Sequence, residues 1–234
     1  MLKRLTKIGL KHETDKAYFH LFTEFYNDYF ETYTGRPINI LEIGIDKGAS
    51  LLTLKDFFPE ASIYAIDINP DSVNLNLGNN IHKYLCSQDD FVNLQKIFYG
   101  LKFDIIIEDG SHMTSHQQSS LGFFFPYLNA GGIYISEDLH TCYRKGYIDT
   151  PVTAMDMIKY YQLNKTIKNE MLSEDQINYL NENITDVILY ERKENALKCY
   201  NCKNYNIKKL DLCNQCQTIL SPEDESIACI FIHK

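Results

Sequence analysis

The sequence predicts an α/β domain built on a doubly wound, mostly parallel sheet. Short β-branched runs such as Ile38-Asn39-Ile40-Leu41-Glu42-Ile43 end at a glycine or an acidic residue, as strands buried on both faces do. These runs alternate with segments of helical periodicity, and the connections between them are short. The 234 residues, 44% hydrophobic and 23% charged, suffice for one sizeable core and a small appendage. That composition excludes the disordered and low-complexity classes.

The elements follow in order. Residues 1–36 read as helical, with Tyr18, Phe19, Leu21, Phe22, Phe25, Tyr26, Tyr29 and Phe30 spaced three and four apart on one apolar face. Gly35-Arg36-Pro37 ends this segment. A first strand runs to Ile43, a helix covers 50–58, and a second strand covers 62–67. A third strand near 81–86 precedes a helix over 90–99, and 103–108 is a fourth strand. Residues 115–128 read mostly as helix and 132–136 as a fifth strand. Beyond Thr150 come a helix over 153–168, with Met155, Ile158, Tyr161 and Leu163 as core positions, and a second opened by a Ser173-x-x-Gln176 capping box. Strands over 185–191 and 227–232 close the chain.

Lys+Arg 23 against Asp+Glu 31 leaves a net charge of −8, which argues against a nucleic-acid partner. The basic start, Met1 to Lys7, develops no apolar signal-peptide core. The longest uncharged stretch, Gln117 to Ser136, holds too many polar residues, a Pro and a Gly pair to span a membrane. Four of the seven cysteines form two Cys-x-x-Cys pairs. Without an export signal these read as thiolate metal ligands, and a reducing cytoplasm is the expected compartment.

A first constellation sits at the sheet's ligand edge. Glu42-x-Gly44-x-x-x-Gly48, followed by Ser50, joins the first strand to its helix, and its glycines permit a sharp turn and close approach to a ligand. Asp67 ends the second strand 25 residues after Glu42, where a carboxylate can accept ribose hydroxyls. Ser87-Gln88-Asp89 follows the third strand within reach of a base edge. The spacing departs from the dinucleotide fingerprint, and carboxylates facing the pocket suit a cationic, phosphate-free nucleoside such as S-adenosylmethionine. Glycines at strand ends also serve as plain turns.

A second constellation lies on the neighbouring strands. The fourth ends Glu108-Asp109-Gly110-Ser111-His112 and the fifth Ser136-Glu137-Asp138-Leu139-His140. Adjacent strand ends bring Asp109, Glu137 and Asp138 together, and three crowded carboxylates call for a hard cation, Mg²⁺ foremost. His112, three residues beyond Asp109, suits a general base. Any one of these acids alone would read as a helix cap, and a lone His as a surface or core residue. His116 and His140 stay unassigned.

In the third, Cys199-x-x-Cys202 and Cys213-x-x-Cys216 flank a ten-residue, mostly polar stretch. Two such knuckles fit a closed, structural tetrahedral Zn²⁺ that orders a segment unable to pack its own core. Lys203, Lys208 and Lys209 make the knuckle locally basic.

Residues 14–143 resemble the metal-dependent sugar O-methyltransferases of macrolide biosynthesis, the mycinamicin VI 2''-O-methyltransferase family, and more loosely the cephalosporin-hydroxylase-related methyltransferases. The resemblance rests on Thr14-Asp15-Lys16, Leu41-Glu42-Ile43-Gly44, Asp67-Ile68-Asn69-Pro70, Glu108-Asp109-Gly110-Ser111-His112 and Glu137-Asp138-Leu139. It implies a Rossmann-like class I methyltransferase fold with an antiparallel final strand. It implies Mg²⁺ on Asp109, Glu137 and Asp138, His112 as general base, and methyl-donor contacts at Glu42, Gly44, Asp67 and Ser87 to Asp89. The segment around Thr14-Asp15-Lys16 would help close the site.

The expected organisation is therefore a helical substrate or lid segment over 1–36 and a methyltransferase domain over 37–234. The latter carries the Cys₄ insert over 197–218 between its last two strands. The expected reaction is Mg²⁺-dependent methyl transfer to a hydroxyl of a sugar or glycosylated small molecule, free or linked to a nucleotide or glycan. A non-sugar vicinal diol is the alternative acceptor. A degenerate fold that recruits a partner through the knuckle is the alternative from another class. Assembly into a homo-oligomer is left open.

Overall fold

A computed structural model describes residues 1–192, 199, 202, 204, 206, 212–217 and 226–234. Seven strands form one sheet: β1 (Asn39–Ile43), β2 (Ser62–Asp67), β3 (Ile81–Leu85), β4 (Phe103–Glu108), β5 (Leu128–Ser136), β6 (Ile184–Glu191) and β7 (Ile227–His233). Their spatial order is β3-β2-β1-β4-β5-β7-β6. The first five run parallel, and β7 is antiparallel to both β5 and β6. The order reverses between β1 and β4, which opens a crevice at the carboxyl ends of these strands.

Alternation along each strand feeds two cores. Leu41, Ile43, Ile106 and Tyr134 point to one face, Ile40, Ile105, Ile107 and Ile135 to the other. Residues at both phases are buried because helices cover both sides. One face carries α6 (Phe91–Ile97), α7 (Thr114–Phe124), α8 (Ala154–Asn164) and α9 (Glu174–Asn183). The other carries α1 (Arg4–Lys11), α3 (Phe22–Phe30) and α4 (Ala49–Phe57). Two short helices, α2 (Asp15–Tyr18) and α5 (Pro70–Val73), complete the α-helices among the described residues.

The N-terminal segment is three short helices where periodicity predicts one long stretch. Glu13 and Leu21 take left-handed backbone conformations, φ +58° each, and turn the chain there without the Gly or Pro that would signal it. The helix expected over 153–168 stops at Asn164, because Lys165 adopts φ +57°. Leu163, expected in the core, is 85% exposed; it falls on the solvent side of the last turn. The Ser173–Gln176 capping box forms as predicted. Among the described residues no helix is long and apolar enough to cross a membrane. Lys203, Lys208 and Lys209 lie outside the described residues.

Candidate active site

The loop leaving β1 crosses the loop leaving β4 at backbone contact. Gly44, at φ +96°, donates its N–H to Ile66 O, and Asp109 N–H donates to Ile43 O. A Cβ on Gly44 would lie 2.0 Å from the Asp109 carbonyl oxygen. The glycine is therefore required by the protein's own backbone. Asp67 fixes the same loop: its carboxylate accepts from Ile45 N (2.8 Å), Asp46 N (3.3 Å) and Asn69 N (2.8 Å). Gln88 braces the β4 tip from behind, donating to Glu108 and Ser120 and accepting from Ser111 N at 2.7 Å.

Two cavities meet over this crossing, with Gly44, Asp67 and Gly110 in both walls. The larger, about 490 Å³, is lined by seven carboxylates and by Lys16 and Lys47. A wall so acidic favours a cation over a pyrophosphate. Glu42, Gly44, Ser50 and Asp67 face this cavity. The smaller, about 170 Å³, is lined by Ile66, Ile68, Ser87, Gln88, Ser111 and His116 among others. Gly48 and Asp89 line neither. Gly48 caps α4 at φ +77° against Leu77, and Asp89 pairs with Ser87 and lies 3.5 Å from His116 Nε2.

At the tips of β4 and β5, one ligand-capable atom each from Asp109, His112 and Asp138 lies within 4.8 Å of the others. His112 (φ +59°) and Asp138 (φ +52°) both hold left-handed conformations that re-aim the chain after each strand. His112 Nε2 is 3.6 Å from Asp138 Oδ2, while its Nδ1 is buried without a hydrogen-bond partner. Asp138 is pushed up to about 7 by burial and then by the Asp109 charge. Burial likewise pushes Glu42 to about 7 and raises Glu137 well above the carboxylate range.

Glu137 does not join that trio. Its Oε2 lies 2.5 Å from the Lys16 ammonium, which also contacts Asp109 and stands 3.7 Å from Glu42 Oε1. Burial alone would lower Lys16, but Asp109, Glu137 and Glu42 outweigh it and hold the amine charged. On the other side of Asp138, His20 Nδ1 sits 3.5 Å and His140 Nδ1 3.7 Å from Oδ1, and His20 also bonds Ser226 Oγ at 2.9 Å. Burial, then the Lys16 charge, pushes His20 down to about 3. Sequence reasoning gave no separate place in the site to Lys16 or His20. Lys16 enters the sequence reading only as part of the Thr14-Asp15-Lys16 segment and His20 not at all, and the turns at Glu13 and Leu21 flank the short stretch that carries both.

The donor set fits a hard divalent ion. Glu137 Oε1, Asp138 Oδ1 and both Glu42 oxygens are buried without hydrogen-bond partners. Such lone pairs are costly unless a cation takes them up. The four knuckle sulfurs form a separate cluster, each within 4.8 Å of the others, with Cys199–Cys216 and Cys202–Cys213 at 3.6 Å. A tetrahedron with Zn–S bonds of about 2.3 Å has edges of about 3.8 Å, so this spacing fits Zn²⁺.

The parallel sheet with its antiparallel final strand, open at the β1/β4 crevice, is the class I methyltransferase fold. Within it the chain resembles the metal-dependent sugar O-methyltransferases. It is 35% identical over 153 residues to the 8-demethyl-8-(2-methoxy-alpha-L-rhamnosyl)-tetracenomycin-C 3'-O-methyltransferase of Streptomyces olivaceus, 61% of this chain and 38% of that protein. Identity and both coverages are the same for the mycinamicin VI 2''-O-methyltransferase of Micromonospora griseorubida. The solved structure of the mycinamycin-pathway methyltransferase MycE, in complex with Mg and SAH, superposes with a TM-score of 0.68 at 29% identity. That match covers 81% of this chain and 52% of MycE. The chain thus spans about two fifths of the length of these curated relatives. No protein-family model matches it.

Proposed function

We propose that this protein is an S-adenosylmethionine-dependent, Mg²⁺-dependent O-methyltransferase acting on a sugar hydroxyl of a glycosylated small molecule. The observation that carries the proposal is the convergence of Asp109, His112 and Asp138 at two adjacent strand tips, beside an acidic cavity walled by Glu42 and Asp67. The name of the Streptomyces olivaceus relative, a rhamnosyl-tetracenomycin 3'-O-methyltransferase, supports a glycoside as the acceptor.

Glu42, Gly44, Ser50 and Asp67 line the donor pocket, which Gly48 shapes by capping α4, and Ser87 and Gln88 line its base end, with Asp89 holding Ser87 from outside. Asp109, Glu137 and Asp138 would hold the ion. When bound, a divalent ion supplies Lewis acidity that lowers a chelated hydroxyl's pKa. His112 takes the hydroxyl proton at Nε2, and the Asp138 carboxylate 3.6 Å away stabilises the imidazolium that results. When bound, the donor would supply a methyl group activated by its sulfonium, passing to the deprotonated acceptor oxygen with the bonding pair left on sulfur. Glu42 and Asp109 keep the donor's positive charge in the crevice until then. The four cysteines would hold a structural Zn²⁺, away from the strand tips and with no part in the chemistry.

The test is methyl transfer from labelled S-adenosylmethionine to a panel of rhamnosyl and other deoxysugar glycosides, with Mg²⁺ or with excess chelator. Transfer to a glycoside that chelator abolishes supports the proposal. Transfer undiminished by chelator, or no donor binding at all, contradicts it.

A further inference from the structure

Lys16 stands where a cation bridging Asp109 and Glu137 would stand. Among the described residues it is the only lysine or arginine within ion-pair distance of Glu42, Asp109, Glu137 or Asp138. Its side chain is 6% exposed, so water does little to screen these contacts. One ammonium against four carboxylates leaves three negative charges if all ionise, and the orphaned oxygens of Glu137, Glu42 and Asp138 show that it does not saturate the cluster. A divalent ion removes two of these and the donor's sulfonium the last. Within this group of four carboxylates the charges then balance only if Lys16 stays among them.

We infer that Lys16 is a positioning residue that holds Asp109 and Glu137 together in the metal-free protein and yields Glu137 to the incoming ion, setting the ion's affinity by competition. The inference rests on the divalent-ion reading above. The side-chain chemistry suits the exchange. A lysine ammonium is a point charge on a flexible four-carbon stem and can shift between carboxylates, whereas a guanidinium would lock one of them in a bidentate pair. The backbone beneath it is anchored. α2 is held against α1 where Ala17 Cβ lies 2.7 Å from the position a Gly9 Cβ would take, and Thr14 N–H donates to Gly9 O. The side chain can therefore move while the helix stays, and Glu137, on the rigid tip of β5, becomes available without a change of fold.

The test is calorimetric titration of the full chain with Mn²⁺ alone, for the wild type, Lys16→Met, Lys16→Gln and Lys16→Arg, with thermal melts of each without ion. Lys16→Met and Lys16→Gln should bind Mn²⁺ about tenfold tighter or more, since a buried positive charge beside the ion is gone. Both should melt below the wild type without ion and recover when it is added. Lys16→Arg, which keeps the charge, should bind no tighter than the wild type. Should Lys16→Met not fold without ion, Lys16→Gln carries the comparison. Unchanged or weaker binding in the neutral variants overturns the inference, as does equal tightening in Lys16→Arg. Failure of the divalent-ion reading itself looks different: no Mn²⁺ binding by the wild type, or binding that Asp109→Asn leaves intact.

Discussion

Gly44→Ala tests whether the crossing of the β1 and β4 loops sets the geometry of the site. At φ +96° any side chain strains the backbone, by about 1–2 kcal/mol for a left-handed residue. The new Cβ would also lie 2.0 Å from the Asp109 carbonyl oxygen, and a backbone atom cannot swing aside as a side-chain tip can. Overpacking of this kind costs roughly a further 1–3 kcal/mol. The combined loss of roughly 2–5 kcal/mol is a large part of the stability of a typical domain. Gly100→Ala is the control: its φ is +74°, but nothing lies within 4 Å of the new Cβ, so it bears the backbone strain alone. Urea unfolding of both variants separates strain from collision. Gly44→Ala should show the larger fall in midpoint at unchanged slope, and should lose donor binding because the Asp109 backbone must retreat. Equal midpoints, or full donor affinity in Gly44→Ala, would show that the crossing does not set the geometry of the site.

Three further outcomes are expected. His112→Ala should bind S-adenosylmethionine normally yet turn over about a hundredfold more slowly, the usual worth of a positioned base; near-normal turnover removes His112 from that role. In metal-free protein Glu42, held near 7 by burial, binds a proton in the folded state that the unfolded chain has released above its ordinary carboxylate pKa. Its contribution is complete below about pH 4.5 and disappears as pH rises through about 7, so stability should fall across that window. Glu42→Gln should flatten the fall in a pH series of denaturant midpoints, and an unchanged slope would show that Glu42 is not the group responsible. Cys213→Ser should reduce zinc content from about one per chain to none by elemental analysis, with the sheet's far-ultraviolet circular dichroism retained because β7 is held by β5. Full zinc content in that variant would exclude a Cys₄ site.

The strands were the most legible part of the molecule. Ile105, Ile106 and Ile107 are buried on both faces, so the run is unbroken and β4 falls on the residues predicted, Phe103–Glu108. The adjacency of β4 and β5 followed from the doubly wound order; of the expected trio Asp109, Glu137 and Asp138, the first and third meet, with His112, while Glu137 lies against Lys16. The N-terminal helices were less legible. Their breaks at Glu13 and Leu21 lie in backbone dihedrals that residue types do not announce. The segment holding Lys16 was expected to help close the site, but its contacts with Asp109 and Glu137 were not legible, since a lysine between Asp15 and Ala17 on a short helix reads as solvated until the fold buries it. The glycine loop was found, but part of its reason was not: the atom that comes closest to Gly44 is the Asp109 carbonyl oxygen.

If the tips of β4 and β5 hold a divalent ion beside the methyl-donor pocket, crystals grown with Mn²⁺ and S-adenosylhomocysteine should reveal it by anomalous diffraction. One anomalous peak should touch Asp109, Glu137 and Asp138, next to the thioether, with the Lys16 ammonium withdrawn from Glu137. A peak elsewhere, or none while Lys16 still spans Asp109 and Glu137, would contradict that site.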